Sequence, residues 1–326
     1  MSTVEKTDLS TPDTPPKQSR LPNRGLLING GFAVAFVVVL VVAATTTDSF
    51  LTDDNLTNLL RQSVTTGLLA LGMLMVILTG GIDLSVGSVV ALTGIMAAGL
   101  AEGLPVPLAM LIAVAVGGAC GAINGVLVAH FRLAPFVVTL AALTTIRGLA
   151  YVYSETPITP TEISFLTLGT ELLGPIPIAT IIVVVAFALS WLFLTRTTVG
   201  RAIVAIGGNR EAVRLAGISV PRHILLTYVI SGLLAGLAGV ILASRVGIAQ
   251  PSVGVALELN AIAACVIGGA RLSGGRGSVP GTFGGVVLLA LIDNLLTLHD
   301  VQSYWQQVLK GLIIVAVVLA RRREDA

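Results

Sequence analysis

The 326-residue chain is 55% hydrophobic and 11% charged, with a net charge of +2 and a mean hydropathy of +0.95. Soluble domains carry roughly 25% charged residues, so this composition excludes a soluble globular protein. It predicts a polytopic membrane protein with the lipid bilayer, and no nucleic acid, as its partner. Cys120 and Cys265 lie inside apolar runs and the three histidines are far apart, so we expect no disulfide, no metal and no cofactor.

The chain begins with a polar tail. Residues 1–25 are rich in Pro, Ser and Thr, a composition typical of disorder. The apolar run after it is long enough to span, so we interpret it as an uncleaved first helix and not as a signal peptide. A second polar tail, residues 321–326, closes the chain, and both tails are predicted to be cytoplasmic.

Between the tails, residues 26–320 are predicted to form one all-α transmembrane domain of about ten helices. A spanning helix needs about 20 apolar residues, and the sequence offers ten such segments: 26–45, 58–79, 86–101, 106–129, 135–153, 176–195, 223–244, 256–270, 279–297 and 302–320. The third and the eighth are short, so we expect them to be tilted, broken or partly re-entrant.

The charge distribution orients these spans. With both ends in the cytoplasm, the basic residues gather on the cytoplasmic side: Lys6, Lys17, Arg20, Arg24, Arg132, Arg196, Arg201, Arg210, Arg214, Arg222, Arg271, Arg276, Arg321, Arg322 and Arg323. The opposite side holds carboxylates: Asp48, Asp53, Asp54, Glu102, Glu155, Glu162, Glu171 and Asp300. Arg61, Arg147, Arg245 and Lys310 fall near helix ends, where we expect them to snorkel to the interface.

The stretch GGIDLSVGS, residues 80–88, places an aspartate between two apolar runs. A carboxylate inside a membrane costs roughly 3 kcal/mol on insertion scales. Three interpretations of Asp83 stay open. It could be a wetted N-cap for a helix beginning near Leu84, it could pair with Arg271, or it could line a substrate path. We expect a helix break near the cytoplasmic end of the path, where it helps to position a gate.

A second stretch, GGARLSGGRGS at 268–278, echoes the first, and LIDN at 291–294 echoes AING at 122–125. Weak internal repeats of this kind surround the central pathway of many transporters. The candidate gate and path residues are Asp83, Ser85, Asn124, Asn260, Arg271 and Asn294. Interhelical hydrogen bonding explains the asparagines equally well. Glycine-rich segments at 117–121 and 232–239 predict close helix packing, within or between subunits.

The longest polar stretch between spans is RTTVGRAIVAIGGNREAVRLAGISVPR, residues 196–222. Its spacing predicts two short helices with a Gly-Gly elbow. Asn209 is a good N-cap, Glu211 suits the first turn, and Gly217 fits a C-cap before Pro221. The segment either rests on anionic headgroups or docks a cytoplasmic partner by helix-in-groove packing.

Four stretches together resemble the membrane permeases of ribose-type ABC sugar importers: GGIDLSVGSVVALTG, GAINGVLVAHFRLAPFVVTLAALTTIRGLAY, GRAIVAIGGNREAVRLAGISV and VIGGARLSGGRGSVPGTFGG. The resemblance runs from about Asn55 to Lys310. It implies a multi-pass protein of the inner (plasma) membrane that works as a homodimer or with a related permease, a cytoplasmic ATPase and an extracytoplasmic sugar-binding protein. Residues 196–222 are then the coupling segment, and its ATPase-coupling residues would be Arg201, Gly208, Asn209, Glu211, Ala212, Arg214 and Gly217.

The chain lacks the G-x-x-x-x-G-K-[ST] motif of a P-loop. We therefore expect a conduit and not an enzyme, with ATP hydrolysed on a separate chain and a monosaccharide, a ribose- or xylose-like pentose or a hexose, as cargo. One alternative is a secondary carrier driven by an ion gradient through Glu258, Asp293 and Asp83. Another keeps the ABC architecture with a non-sugar cargo, such as nucleosides or branched-chain amino acids.

Overall fold

Helices make up about three quarters of the chain that the computed structural model describes, which is residues 36–325 without the side chains of residues 314 and 316–325. The helices, in chain order, are α1 (Phe36–Thr46), α2 (Asp53–Leu78), α3 (Val86–Leu100), α4 (Val106–Ala129), α5 (Pro135–Tyr153), α6 (Thr167–Thr170), α7 (Ile178–Arg196), α8 (Thr198–Gly208), α9 (Arg210–Leu215), α10 (Val220–Val246), α11 (Leu257–Ile267), α12 (Val279–Leu298) and α13 (Ser303–Asp325). Two units are distinguished, Met1–Val38 and Val39–Ala326, and the contacts below lie within the second.

Six of the described helices are long and apolar enough to cross a membrane: α2, α4, α5, α7, α10 and α12. The predicted spans from residue 58 onward all coincide with helices. Those expected to be short are short, since α3 has 15 residues and α11 has 11. A polytopic all-α membrane protein is thus what the structure shows. The tail 1–25 and most of the first predicted span lie outside the described residues, and α13 continues to Asp325.

Short irregular elements join α5 to α7. A 3-10 turn at Ile163–Leu166 precedes α6, and a small antiparallel hairpin follows, with β1 (Leu172–Leu173) paired to β2 (Ile176–Pro177). Its register joins Leu172 to Pro177 and Leu173 to Ile176. This region carries three carboxylates, Glu155, Glu162 and Glu171, so we call it the acidic end of the molecule.

The opposite end collects the last residues of α2, α7 and α11 and the first residues of α8, α10 and α12. Hydrogen bonds fix both ends. At the acidic end, Arg61 of α2 donates to the carbonyl of Thr170, and Ser244 of α10 donates to Phe165. At the other end, which we call the coupling end, the Gly275 N–H donates a hydrogen bond to the Leu78 carbonyl oxygen, with an N···O distance of 3.0 Å. Helix α2 therefore runs from the acidic end to the coupling end, and α10 runs the opposite way.

The centre of the fold is the long helix α10, which packs on α4, α2 and α3. The closest of these contacts is glycine against glycine. Gly117 and Gly121 of α4 lie against the backbone of Gly232 and Gly236 of α10. The two glycine-rich segments thus pack against each other within one subunit, which settles one of the two alternatives that the sequence left open.

We expect Gly121→Ala to destabilise the protein by about 2 kcal/mol, because overpacking a tight contact typically costs 1–3 kcal/mol. A methyl group there would overlap the Tyr228 carbonyl of α10. Gly148→Ala in α5 is the matched control, since its methyl group would meet no atom within 4 Å. Thermal unfolding in detergent checks this pair, and equal melting temperatures for the two variants would contradict the packing.

Candidate coupling and translocation site

Asp83 lies at the centre of a buried hydrogen-bond network. Its side chain is 1% exposed. One carboxylate oxygen accepts from the Ser85 hydroxyl at 2.6 Å and the Ser85 N–H at 3.1 Å, and the other accepts from the Ser231 hydroxyl at 3.0 Å. Asn124 in turn donates 2.9 Å to the Ser85 oxygen. The network joins the segment before α3 to α4 and α10.

This arrangement bears on the first interpretation of Asp83. The wetted-interface version is wrong, because serine hydroxyls and a backbone N–H stand where water was expected. The N-cap interpretation is partly right, since Asp83 binds the N–H of Ser85, but Ser85 itself holds the N-cap position, and α3 begins at Val86. A pairing with Arg271 and a place on the substrate path stay predictions.

Asp83 is also deeper than the end of the bundle. Its partner Ser231 lies about 17 Å along α10 from that helix's first residue, at 1.5 Å per residue. The segment 79–85 is therefore an irregular stretch among helices, and such backbone is tolerated at membrane depth only where protein or water covers it. Here protein covers it, since Thr139 of α5 donates to the Ile82 carbonyl at 3.1 Å.

A second irregular stretch, residues 247–256, precedes the short helix α11. Gly254 and Ala256 there have positive φ angles of 84° and 65°. Gly254 touches Gly87 of α3, and Arg147 of α5 donates to the carbonyls of Pro251 and Val253. The structure thus contains two short helices, α3 and α11, each preceded by an irregular stretch, and the second stretch touches the first turn of α3.

The coupling segment folds into the two predicted short helices, α8 and α9, but the Gly-Gly pair ends α8 and Asn209 alone separates the two. Asn209 caps α9 by accepting 3.0 Å from the Ala212 N–H. Gly217 has a φ of +79° where the helix ends. Glu211 accepts two hydrogen bonds from Arg214 on the next turn, and this donor holds the pKa of Glu211 below its ordinary value.

The predicted coupling residues share one property, which is exposure: Arg201, Gly208, Asn209, Glu211, Ala212, Arg214 and Gly217. Leu215, which follows Arg214 on the same surface, is 75% exposed and is a large apolar side chain among charged ones. The opposite faces of α8 and α9 are buried through Ile203, Ile206 and Val213. The segment therefore has an inner face fixed to the bundle and an outer face free for a partner.

The inner face of the coupling segment meets the end of α2 and the second echoed loop at one point. Gly207 lies against the Leu78 carbonyl at the end of α2 and against Gly274 and Gly275 before α12. Gly274 in turn lies against Gly80, since a Cβ added to Gly274 would lie 2.8 Å from the Gly80 nitrogen. We call these five residues, Leu78, Gly80, Gly207, Gly274 and Gly275, the glycine junction.

Arg210 adds a polar link beside the junction. Its guanidinium donates 2.9 Å to the carbonyl of Thr79, the residue that ends α2. Below it, the buried Tyr228 of α10 packs with Ile206 and Val213 of the coupling segment and with Val76 of α2. Gly81 rests on the Tyr228 ring, where a Cβ would lie 2.8 Å from the phenol oxygen. A displacement of α8–α9 therefore reaches the Asp83 segment directly.

The remaining candidate path residues lie in different places. Asn294 exchanges two hydrogen bonds with Asn55 of α2, at 2.7 and 3.1 Å. Asn124 and Asn294 thus make the interhelical bonds that the sequence allowed, and their role in a path stays a prediction. Asn260 is half-buried and lines a polar groove between α2, α11 and α12. In the same groove Asp293 forms an ion pair with Lys310 at 2.9 Å.

Sequence reasoning missed several of the residues that build this site. Ser231 had no signal beyond being a polar residue in an apolar helix. Gly207 and Arg210 stood inside the predicted coupling segment, but the sequence did not show that they face α2 and the loop before α12. Arg147 and Arg245 were expected to snorkel, yet Arg147 binds the carbonyls of the irregular segment, and Arg245 donates 3.0 Å to the Arg61 carbonyl.

Comparison with known proteins now decides the family. A model described as "branched-chain amino acid transport system / permease component" matches residues 55–318. This chain belongs to that permease family. The match begins at Asn55, where the sequence resemblance also began, and it includes the Asp83 segment, the coupling segment and the glycine junction.

Among the relatives, this permease is 41% identical over 314 residues to the ribose import permease protein RbsC of Bacillus subtilis, covering 95% of this chain and 98% of that one. It is 39% identical to RbsC of Escherichia coli K12, covering 90% and 93%. The xylose transport system permease protein XylH of the same organism is 35% identical, covering 88% and 89%. No solved structure matches the chain significantly.

Proposed function

We propose that this chain is the membrane conduit of an ATP-driven importer for a monosaccharide. The observation that carries the proposal is the coupling segment, whose exposed outer face is available for an ATPase while its inner face contacts both irregular loops. The chain makes and breaks no covalent bond of its cargo. ATP hydrolysis takes place on a separate partner chain.

The proposed assembly contains a cytoplasmic ABC ATPase, an extracytoplasmic sugar-binding protein and a second permease subunit, identical or related. We place the chain in the inner (plasma) membrane with ten spans and both termini in the cytoplasm. The basic residues then lie at the coupling end and the carboxylates at the acidic end, as the positive-inside rule requires. Residues 26–320 would form the transmembrane domain between the two tails.

The cargo follows from the relatives. The three named above are ribose or xylose permeases by name, and another relative, 38% identical, is the D-allose transport system permease protein AlsC of Escherichia coli. The family description mentions branched-chain amino acids, but the ammonium and carboxylate groups of such a zwitterion would each need a fixed counter-charge. The polar groove holds an aspartate already paired with Lys310, which suits an uncharged cargo.

Transport would proceed by alternating access. Closure of the ATPases displaces α8 and α9, and the glycine junction and Arg210 transmit this displacement to the end of α2 and to the loop before α12. These two elements are the inner gate. The Asp83 network keeps the start of α3 attached to α4 and α10, so that the segment moves with the bundle and does not unravel.

Glu211→Arg tests the docking face. Reversing this charge leaves Arg210, Arg214 and the new arginine on one short helix without their carboxylate, so we expect ATPase binding to weaken at least tenfold. The chain is co-expressed with the ATPase encoded beside it and purified in detergent. Glu162→Arg, the same reversal on an exposed residue at the acidic end, is the control. Equal ATPase recovery for both variants would contradict docking through α9.

A further inference from the structure

A polar groove opens on one side of the helix bundle. It is lined by Gln62, Ser63 and Thr66 of α2, Asn260 of α11, and Leu289, Ala290 and Asp293 of α12. Gln62 lies about 14 Å along α2 from Asp53, and Asp293 about 21 Å along α12 from Val279, at 1.5 Å per residue. The hydrocarbon core is about 30 Å thick. The groove therefore lies within the thickness of the membrane and not at its surface.

The faces of the bundle that suit contact with lipid are apolar, unlike the groove. The outward side chains of α4, α5 and α7 are large and apolar: Leu111, Ile123, Val137, Val152, Val184, Val185, Leu189 and Leu192. Two amides, two hydroxyls and a carboxylate exposed to hydrocarbon would be costly, and polar side chains in membrane proteins face the bundle interior or a water-filled cavity. The groove is therefore on the side that faces the transport path.

The groups in the groove match one class of ligand. Gln62 and Asn260 each offer a carbonyl acceptor and two N–H donors, and the two hydroxyls can donate or accept. Asp293 binds Lys310 through Oδ2, while its Oδ1 atom is buried without a hydrogen-bond partner among the described residues. A carboxylate oxygen accepts readily from a hydroxyl. This set pairs with a neutral polyol and gives no strong site for a cation, because Lys310 already neutralises the carboxylate.

We propose that this groove is a sugar-contacting subsite of the translocation path, with Gln62 and Asn260 exchanging hydrogen bonds with the hydroxyls of the cargo. The assignment rests on the proposed function. No aromatic side chain lines the groove, so contact is weak, as a conduit needs: a site that binds tightly would release its cargo slowly. Specificity is left to the binding protein.

Cysteine labelling tests the groove without relying on activity. Cys120→Ala and Cys265→Ala give a background in which Ser63→Cys, Thr66→Cys or Val184→Cys is the sole thiol. A small sulfonated methanethiosulfonate reagent attacks thiols in water. We expect the first two to react at least tenfold faster than Val184→Cys on the apolar face. Reaction of all three at the slow rate would overturn the groove's contact with the path.

A second arm asks whether sugar occupies the groove. During ATP turnover with binding protein and saturating D-ribose, we expect labelling at positions 63 and 66 to slow at least threefold relative to turnover without sugar. D-xylose and D-allose are tested in parallel. Rapid labelling that none of the three sugars slows would show a water-filled cavity and overturn sugar contact.

Uptake separates failure of the groove from failure of the function. In proteoliposomes with all partners, Asn260→Leu should lower D-ribose uptake at least tenfold while ATP hydrolysis persists. Thr144→Val is the control, since that hydroxyl is exposed on α5 and bonds its own helix at Ala141. Normal uptake by Asn260→Leu would overturn the subsite alone. A wild-type complex that takes up none of the sugars would overturn the proposed function, whatever the labelling shows.

Discussion

Gly207→Ala should abolish coupling, lowering sugar uptake at least tenfold although the change adds a single methyl group. That methyl would overlap the carbonyl oxygen of Leu78 and the nitrogen of Gly275. Both are backbone atoms, so no side chain can turn aside, and the whole coupling segment must move away from α2 and the loop before α12. Uptake driven by ATP in proteoliposomes measures the loss.

A glycine outside the coupling segment supplies a matched control. Gly148→Ala in α5 makes the same chemical change inside a helix, but its methyl would meet no atom within 4 Å. We expect uptake within twofold of the wild type. ATP hydrolysis by both complexes is followed as well, because a displaced coupling segment should leave hydrolysis uncoupled from uptake. Equal uptake by the two alanine variants would show that the glycine junction transmits nothing.

Asp83→Ala should lower the free energy of unfolding by about 3 kcal/mol. The substitution leaves the hydroxyls of Ser85 and Ser231 and one backbone N–H without their acceptor, and each buried unsatisfied group costs about 1–3 kcal/mol. Removing the buried charge offsets part of that loss. Thermal or denaturant unfolding in detergent measures the change, and uptake should fall with it because the segment before α3 loses its attachment to α10.

Asp83→Asn separates the contribution of the hydrogen bonds from the contribution of the negative charge. An asparagine oxygen can accept from both groups of Ser85, and its amide can donate to the hydroxyl oxygen of Ser231. We therefore expect a loss below 1 kcal/mol, well under that of the alanine variant, and retained uptake. Loss of uptake in Asp83→Asn with unchanged stability would mean that the charge itself acts in transport, which would favour the ion-coupled alternative.

The sequence predicted the helices well because their signals are local. Apolar runs of sufficient length, the cap at Asn209 and the left-handed residue at Gly217 each depend on a few neighbouring residues. The two shortest spans, 86–101 and 256–270, were also recognised from their length, since 16 and 15 residues of α helix measure about 24 and 23 Å, less than the hydrocarbon core.

Contacts between distant segments could not be read in this way. The resemblance between residues 80–88 and 268–278 suggested a shared position in the path, but only the folded chain shows that Gly207 of the coupling segment lies against the second stretch and against Leu78, two residues before the first. The depth of Asp83 was misjudged for the same reason. The sequence of residues 80–88 is equally compatible with a hydrated carboxylate and with one bonded to serines, because Ser231 lies 148 positions away.

The arginines illustrate a further limit. A cationic residue near a helix end normally extends toward water, and this rule placed Arg61, Arg147 and Arg245 at the interface. In the structure each donates to backbone carbonyls, those of Thr170, Pro251 with Val253, and Arg61. Irregular backbone creates unpaired carbonyls, and a sequence does not show which distant side chain meets that need.

The most direct test of the central claim is the energy source of uptake. The permease is reconstituted in liposomes with and without the ATPase and the binding protein encoded beside it, and uptake of labelled D-ribose, D-xylose and D-allose is followed. The account predicts uptake of at least one sugar only when both partners and ATP are present. Uptake by the permease alone, driven by a proton or sodium gradient, would contradict it.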